Sequence, residues 1–148
     1  MPGGDTSPGD EQRAQQTSLR ASTAVSSAAR RRLGQTGEQL AAEHMVRRGF
    51  EILERNYQTR WGELDIIAFD GRTIAFCEVK TRRLAAGAGH PFDALRTIKR
   101  NRVRRMASSW LAQRTEHPYA RLLRFDAIGV TFDLDGSLVS IEHVESAF

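Results

Sequence analysis

The residues best able to carry chemistry lie in the run GELDIIAFDGRTIAFCEVK, residues 62–80. Two segments rich in β-forming residues flank the dipeptide Asp-Gly at 70–71, which strongly favours a tight hairpin. Side chains alternate along a strand with period two. Asp65, Glu78 and Lys80 are therefore predicted to project from one face of the hairpin, with both carboxylates near one ammonium.

The predicted register places Asp65 opposite Phe76 and diagonal to Glu78, at about 5–8 Å. Most other positions on both faces are apolar, and burying close carboxylates unpaired costs several kcal/mol. A divalent cation beside the Lys80 ammonium would offset that cost, and carboxylates suit Mg²⁺ or Mn²⁺ rather than zinc. Alternatively, Lys80 forms a solvated ion pair with Glu78 or Glu63, worth about 0–1 kcal/mol.

A third acid, Glu38, lies in the first turn of a predicted helix. Thr36 and Gln39 fit a capping box at its start, and Gly49 is typical of the position just beyond a helix C-terminus. At about 100° per residue Glu38 falls on the inward arc that also carries Met45, where an acid is unusual unless it is used. The helix dipole also favours an acid there, by about 0.3–1 kcal/mol, so both interpretations stand.

The order of predicted elements is helix, three strands, helix and two strands. This order is typical of an α/β fold with a mixed central sheet flanked by helices. Residues 1–33 are rich in small and polar side chains and are predicted to form a disordered tail, and residues 34–148 to form the domain. The predicted helices cover 36–49 and 91–113, and the predicted strands outside the hairpin cover 50–57, 122–132 and 137–144.

Composition sets broad limits on compartment and partners. The net charge of +4 and the isoelectric point of about 10.0 favour an acidic partner such as nucleic acid. The single cysteine, Cys77, excludes an internal disulfide and a Cys-rich zinc site, and indicates a reducing cytoplasm. No apolar run approaches the roughly 20 residues of a membrane span, so no membrane partner is expected.

Basic residues are concentrated in the second predicted helix. Residues 94–115 contain seven bases and no acid, so a phosphate backbone could run across them. Only Lys80 and Lys99 among the 22 basic residues are lysines, which indicates a need for a compact ammonium or merely a compositional bias. Lys99 could reach the acids or a phosphate, or simply bury its stem, and the whole arc could equally be a solvated face. The residues assigned here to nucleic-acid contact are Arg82, Arg96, Lys99, Arg100 and Arg104.

Together these motifs resemble the PD-(D/E)xK nuclease superfamily, and residues 34–144 more closely resemble the YraN-like family, an uncharacterised bacterial family related to archaeal Holliday-junction resolvases. The resemblance implies a restriction-endonuclease-like αβββαβ core. The motifs that carry it are GEQLA at 37–41, RN at 55–56, GELDIIA at 62–68, FCEVKTR at 76–82 and RFD at 124–126.

The resemblance also implies a role for each candidate residue. Asp65 and Glu78 would bind the metal together with the backbone carbonyl of Val79, and Glu38 would complete the site from the first helix. Lys80 would orient or deprotonate the attacking water and stabilise charge on the phosphate.

The sequence thus predicts a Mg²⁺- or Mn²⁺-dependent endonuclease acting on DNA rather than RNA, including branched or structured DNA. Resolvases of this fold act as dimers, so a homodimer is a further expectation. Two alternatives stay open. One is a nucleic-acid-binding protein without chemistry, which needs the basic helix but not the acids. The other is a protein-interaction scaffold that uses the sheet edge or the tail.

Overall fold

The computed structural model describes residues 8–84, 92 and 99–148 of the chain. Residues 34–148 form one compact unit, which contains the whole sheet, and residues 1–33 form another. No helix in the described ranges combines the length and apolar character needed to cross a bilayer. The elements are α1 (Pro8–Arg47), β1 (Glu51–Thr59), β2 (Gly62–Phe69), β3 (Thr73–Arg83), α2 (Lys99–Gln113), β4 (Leu122–Phe132) and β5 (Leu138–Val144).

The five strands form one mixed sheet in the order β1-β2-β3-β4-β5. All neighbours are antiparallel except β3 and β4, which run parallel. Parallel neighbours require a crossover connection, and α2 lies within the connection between these two strands. The predicted α/β fold, with its αβββαβ core and one added strand, is confirmed.

Helix α1 begins at Pro8, which differs from the predicted disordered tail and from a helix start at Thr36. Residues 9–32 are exposed apart from the half-buried Ala28, so this part of the helix gains almost nothing from burial. Its many alanines, arginines and glutamines are strong helix formers. The tail prediction considered the missing apolar surface and neglected this local propensity.

The C-terminal end of α1 lies where Gly49 predicts it. Gly49 has a φ of 89°, a left-handed conformation that glycine adopts without a Cβ penalty. Its N–H donates to Val46 O at 3.0 Å and the Phe50 N–H donates to Met45 O at 3.0 Å. These two bonds form a Schellman motif, which directs the chain from α1 into β1.

The β2–β3 hairpin keeps the predicted facing of its side chains but not the predicted register. Phe69 pairs with Ile74 and Ile67 with Phe76, a shift of two residues from the expected pairs. The Asp70 carboxylate accepts bonds from the backbone N–H groups at 72 and 73, at 2.9 and 2.7 Å, and so stabilises a longer loop. Because the shift is an even number, Asp65 and Glu78 remain on one face.

Helix α2 covers the face of the sheet that carries Phe76. The Phe76 ring lies edge-to-face with Trp110, with centroids 5.9 Å apart, and stacks on Phe125 at 5.6 Å. Val103 and Met106 complete the contact and are buried. Of the predicted helix before Lys99, only Phe92 lies within the described residues, and it is in a turn.

Helix α1 approaches β3 closely at Gly37. A Cβ atom at this position would overlap with Thr81 Oγ1 and lie 3.0 Å from both Thr81 Cβ and Cγ2. Only a residue without a side chain fits this contact, which places the neighbouring Glu38 against the sheet.

A buried polar network, which the sequence analysis did not identify, connects α1 with β4 and β5. Asp126 is fully buried and accepts bonds from Arg124, from His143 Nε2 at 2.8 Å and from the Ser146 N–H at 3.1 Å. His143 Nδ1 in turn lies 3.1 Å from Nε2 of His44 on α1. Burial alone would raise the pKa of Asp126, but the bonds from His143, Arg124 and Ser146 hold that pKa below its ordinary value.

Replacing Gly37 by alanine tests the close approach of α1. We expect Gly37→Ala to lower the free energy of unfolding by about 1–3 kcal/mol, because the added methyl group must displace α1 or Thr81. Gly34→Ala is the matched control, since nothing lies within 4 Å of a Cβ at Gly34. This control should gain about 0.5–1 kcal/mol through helix propensity. Urea denaturation measures both, and equal effects would contradict the packing role of Gly37.

Replacing Asp126 by asparagine tests the buried network. Removing the charge deprives Arg124 of its buried counterion Asp126, so we expect Asp126→Asn to destabilise the protein by about 3–5 kcal/mol at neutral pH. Since the pKa of Asp126 is depressed in the folded state, its contribution is present above the ordinary value of 3.8 and is lost as the pH falls through the folded pKa. The deficit of the variant should therefore shrink below about pH 4. The exposed turn variant Asp135→Asn is the control for loss of one acid, and a deficit constant from pH 3 to pH 7 would rule out this assignment.

Candidate metal centre

Asp65 lies on β2 immediately beyond the last position at which β2 pairs with β3. That pairing runs from Phe69↔Ile74 to Ile66↔Cys77. One residue further, Asp65 Oδ2 accepts a hydrogen bond of 2.6 Å from the backbone N–H of Val79. A side-chain carboxylate thus takes a backbone donor of β3 and is held in one orientation.

Three carboxylates meet at this point. One carboxylate oxygen from each of Glu38, Glu63 and Asp65 lies within 4.8 Å of the others, and all three residues are half-buried. Glu63 and Asp65 are two residues apart on β2 and share a face, while Glu38 comes from α1. This group is the carboxylate cluster of the protein, and oxygens at such spacing can surround one cation.

Glu63 is the member that the sequence analysis did not place in the site. Its parity with Asp65 was evident, but the predicted register put it opposite Glu78, where it was considered only as a partner for Lys80. The observed shift of two residues leaves Glu63 beyond the paired part of β2 and β3. The shared strand parity of Glu63 and Asp65 could therefore have placed Glu63 in the site, but the wrong register assigned Glu63 to a different neighbour.

Two amide side chains of β1 orient the acids. Asn56 has a φ of 54°, a left-handed conformation that asparagine tolerates better than most residues. With its amide nitrogen facing the cluster, Asn56 donates to Glu63 Oε1 at 2.7 Å and to Glu38 Oε2 at 3.0 Å. The Gln58 amide donates to the other oxygen of Glu63. Asn56 thereby joins α1 to β2 through the cluster.

The cluster is electrostatically unfavourable as it stands. Burial raises the pKa of Asp65 to about 7, and the charges of Glu38, Glu78 and Glu63 act in the same direction against the Val79 hydrogen bond. Burial and the Glu63 charge also raise the pKa of Glu38, with partial opposition from Arg55. A bound divalent cation would reverse this balance, since it favours the ionised form of each ligand.

Glu78 and Lys80 lie beside the cluster on β3. Glu78 is only 8% exposed, and its Oε1 lies 3.4 Å from the ammonium of Lys80. Among the described acids, the set within 4.8 Å does not include Glu78. Its charge nevertheless raises the pKa of Asp65, so it acts on the same site. A ligand role for Glu78, and for the Val79 carbonyl, stays a prediction.

A model of the family described as "Uncharacterised protein family UPF0102" matches residues 37–130. The chain belongs to the UPF0102 family. A UPF0102 protein of Parafrankia sp. (strain EAN1pec) is 47% identical over 118 residues, which cover 79% of this chain and 96% of that protein. The UPF0102 proteins of Frankia casuarinae and Geobacter metallireducens are 44% and 41% identical, over 78% of this chain and 95% and 91% of their own lengths.

Membership of UPF0102 confirms the resemblance to the YraN-like family. The matched segment begins at Gly37, the residue that allows α1 to contact Thr81, and it contains every acid of the carboxylate cluster together with Glu78 and Lys80. The UPF0102 description names no activity, so the function has to be argued from the site.

The basic residues assigned to nucleic-acid contact are only partly described in this UPF0102 chain. Arg82 follows Lys80 on β3, and its Nε donates to Thr131 Oγ1 at 3.3 Å. Arg100 and Arg104 are exposed on α2. Arg96 and the side chain of Lys99 lie outside the described residues, so their predicted roles stay predictions.

Asp65→Asn tests the electrostatic cost of the site. In the folded protein the pKa of Asp65 is about 7, whereas its ordinary value is 3.8. Between about pH 4 and pH 7 the folded state therefore keeps a proton on Asp65 that the unfolded state has lost. Stability of the wild type should therefore fall as the pH rises from about 4 to about 7. Asparagine cannot ionise, yet its amide oxygen still accepts the Val79 N–H. We expect Asp65→Asn to raise the free energy of unfolding at pH 8 by about 2–4 kcal/mol, a gain that vanishes near pH 4.

Chemical denaturation across this pH range, with Asp135→Asn as the control, measures the effect. A variant no more stable than wild type at pH 8 would show that the carboxylates are not crowded. Added Mn²⁺ should stabilise the wild type but not Asp65→Asn, because a ligand that binds only the folded state stabilises it.

Proposed function

We propose that this protein is a Mg²⁺- or Mn²⁺-dependent nuclease that hydrolyses phosphodiester bonds of DNA, including branched or structured DNA. The observation that carries the proposal is the half-buried carboxylate cluster of Glu38, Glu63 and Asp65. The charge of Glu78 acts on this cluster, and Glu78 is paired with the Lys80 ammonium. A cluster of this kind raises the pKa of its own acids and therefore favours an added cation.

The donor set fits a hard divalent cation. All three members of the cluster offer carboxylate oxygens, the ligands preferred by Mg²⁺ and Mn²⁺, and no imidazole or thiolate of the described part of the chain joins them. Bound there, such an ion would polarise the phosphoryl oxygen and lower the pKa of the attacking water. Asn56 would keep Glu38 and Glu63 pointed at the ion, and the Val79 N–H would do the same for Asp65.

Lys80 supplies a positive charge to the reacting phosphate. Its side chain is 39% exposed, whereas the Glu78 carboxylate beside it is 11% exposed. The ammonium can therefore meet a phosphate arriving from solvent while Glu78 holds it in place. In that position it would stabilise the negative charge that develops on the phosphoryl oxygens and orient the attacking water.

Helix α2 would bind the DNA backbone. Its sequence, KRNRVRRMASSWLAQ, contains no acidic residue, and Arg100 and Arg104 are exposed on it. Arginines of this kind contact phosphates and orient the substrate without reading base sequence. They would bring a phosphodiester towards the sheet that carries the cluster.

Calorimetric titration with Mn²⁺ and cleavage assays on single-stranded, duplex and four-way-junction DNA test the proposal. We expect Asp65→Ala to abolish the heat of Mn²⁺ binding and to slow cleavage by more than about 100-fold, since losing even an outer partner of a metal ligand costs 10–100-fold. Asp135→Ala removes one acid from an exposed turn and should behave as wild type.

A nucleic-acid-binding protein without chemistry is the second candidate, and the acid-free α2 favours it. It predicts salt-dependent DNA binding that is unchanged by EDTA and by Asp65→Ala, with no cleavage of any substrate. Identical Mn²⁺ heats for wild type and Asp65→Ala, together with that result, would replace the nuclease by this binding function.

A further inference from the structure

A recess outside the carboxylate cluster lies between α2 and the turn that joins β1 to β2. Its volume is about 560 Å³, within the range of about 300–1,000 Å³ of small-molecule sites. It is lined by Trp61, Asn101, Arg104, Arg105, Ser108 and Ser109. Among the residues that the structure describes, the lining therefore combines one large aromatic ring, two cations and three neutral polar side chains, without an acid.

Trp61 supplies an aromatic ring to the lining of the recess. It lies in the turn that joins β1 to β2, and it is half-buried against the α2 side of the core. The guanidinium of Arg60 lies 4.4 Å from the ring centroid. Arg60 is exposed, and an exposed contact of this kind is weaker than the stacking of a nucleobase. A base can therefore compete with Arg60 for the ring.

Two arginines, Arg104 and Arg105, give the lining of the recess a positive charge. The guanidinium of Arg104 lies 4.8 Å from the centroid of the Phe125 ring and donates to Phe148 O at 3.4 Å, which limits its freedom. Arg105 is exposed on the next position of α2. The Asn101 amide offers both a donor and an acceptor to the edge of a base.

Trp61 of the recess is close in sequence to Glu63 of the carboxylate cluster. Trp61 is two residues before Glu63, so their Cα atoms are at most about 7 Å apart. Trp61 also packs against the hydrophobic cluster on the α2 side of the sheet, and Ile67 belongs to that cluster. Ile67 shares its strand parity with Glu63 and Asp65. A strand held in the recess would pass next to the cluster.

We propose that this recess binds one unpaired nucleotide, with its base stacked on Trp61 and its phosphates on Arg104 and Arg105, so that the enzyme acts on DNA that is single-stranded at the cut. Stacking needs an exposed base face, and a base inside a duplex presents only its edges. This inference rests on the proposed nuclease function and specifies the substrate class of the same site.

Binding in EDTA tests the recess without any contribution from catalysis. Fluorescence anisotropy of a labelled oligo(dT) and of a hairpin duplex gives the two affinities for the full-length protein. We expect Trp61→Ala to weaken oligo(dT) binding about tenfold and duplex binding less than about twofold. Trp61→Phe should lie between wild type and Trp61→Ala, because a smaller ring still stacks.

A charge-matched pair tests the arginines. Arg105→Gln should weaken oligo(dT) binding and reduce the slope of log affinity against log salt by about one. Arg121→Gln removes the same charge from an exposed position just before β4, at the end of the sheet where β3 begins. It should bind as wild type.

Intrinsic fluorescence provides a second measurement that does not depend on the alanine variant folding. Oligo(dT) should quench the emission of the wild type, and the quenching should disappear in Trp61→Phe, because the other tryptophan, Trp110, is only 3% exposed. Absence of quenching, or equal losses for oligo(dT) and duplex in Trp61→Ala, overturns the inference.

The outcomes separate this inference from the proposed function. The Trp61 variants could bind oligo(dT) as tightly as wild type while metal-dependent cleavage persists. That result would contradict nucleotide binding in the recess and would support the proposed nuclease function. Selective loss of oligo(dT) binding in those variants, with no cleavage under any divalent metal, would contradict the nuclease function and would support nucleotide binding in the recess.

Discussion

The hydrogen bond from the Val79 N–H to the Asp65 carboxylate is the contact on which the site depends. It forms where β2 and β3 cease to pair, one residue beyond Ile66↔Cys77. A backbone donor in the middle of a sheet would ordinarily bond to the neighbouring strand. Here it orients a carboxylate, and the separation of the strands leaves room for Glu63 and for Glu38 of α1. The carboxylate cluster thus lies where the β2–β3 hydrogen-bond ladder ends.

Two devices hold α1 against this site. Gly37 lets the helix backbone approach Thr81 more closely than any side chain would allow, and the chain from His44 through His143 to Asp126 connects the next turns of the helix to β4 and β5. Both act on the same side of the sheet, since Thr81 and Cys77 share a face and Cys77 lies opposite Asp126. Helix α2 instead packs through apolar side chains around Phe76. The polar network therefore lies on the side of the sheet opposite the aromatic packing of α2.

Neighbouring groups hold the carboxylate cluster together, but ionising its acids lowers the stability of the fold. Burial and like charges raise the pKa of Asp65 to about 7, which means that ionising the site at neutral pH opposes folding. Asn56, itself in a left-handed conformation, and the Val79 N–H offset part of that opposition. Strongly raised pKa values in a cluster of acids are characteristic of functional sites, and these carboxylates could bind a metal ion.

Local patterns determined much of this protein. Period-two alternation predicted that Asp65, Glu78 and Lys80 share a face, and Gly49 predicted the end of α1. Each of these depends on neighbours a few positions apart in the chain.

The predicted hairpin register was wrong by two residues because the Asp70 side chain stabilises a longer loop. The helix before Thr36 was not predicted because the lack of buried apolar side chains was given more weight than helix propensity. Glu63 and Asn56 in the site, and the His44–His143–Asp126 network, depend on where strands separate and on which helix lies across them. These features join residues up to 99 positions apart, and no local pattern specifies such contacts, since only the packing of α1 on the assembled sheet brings them together.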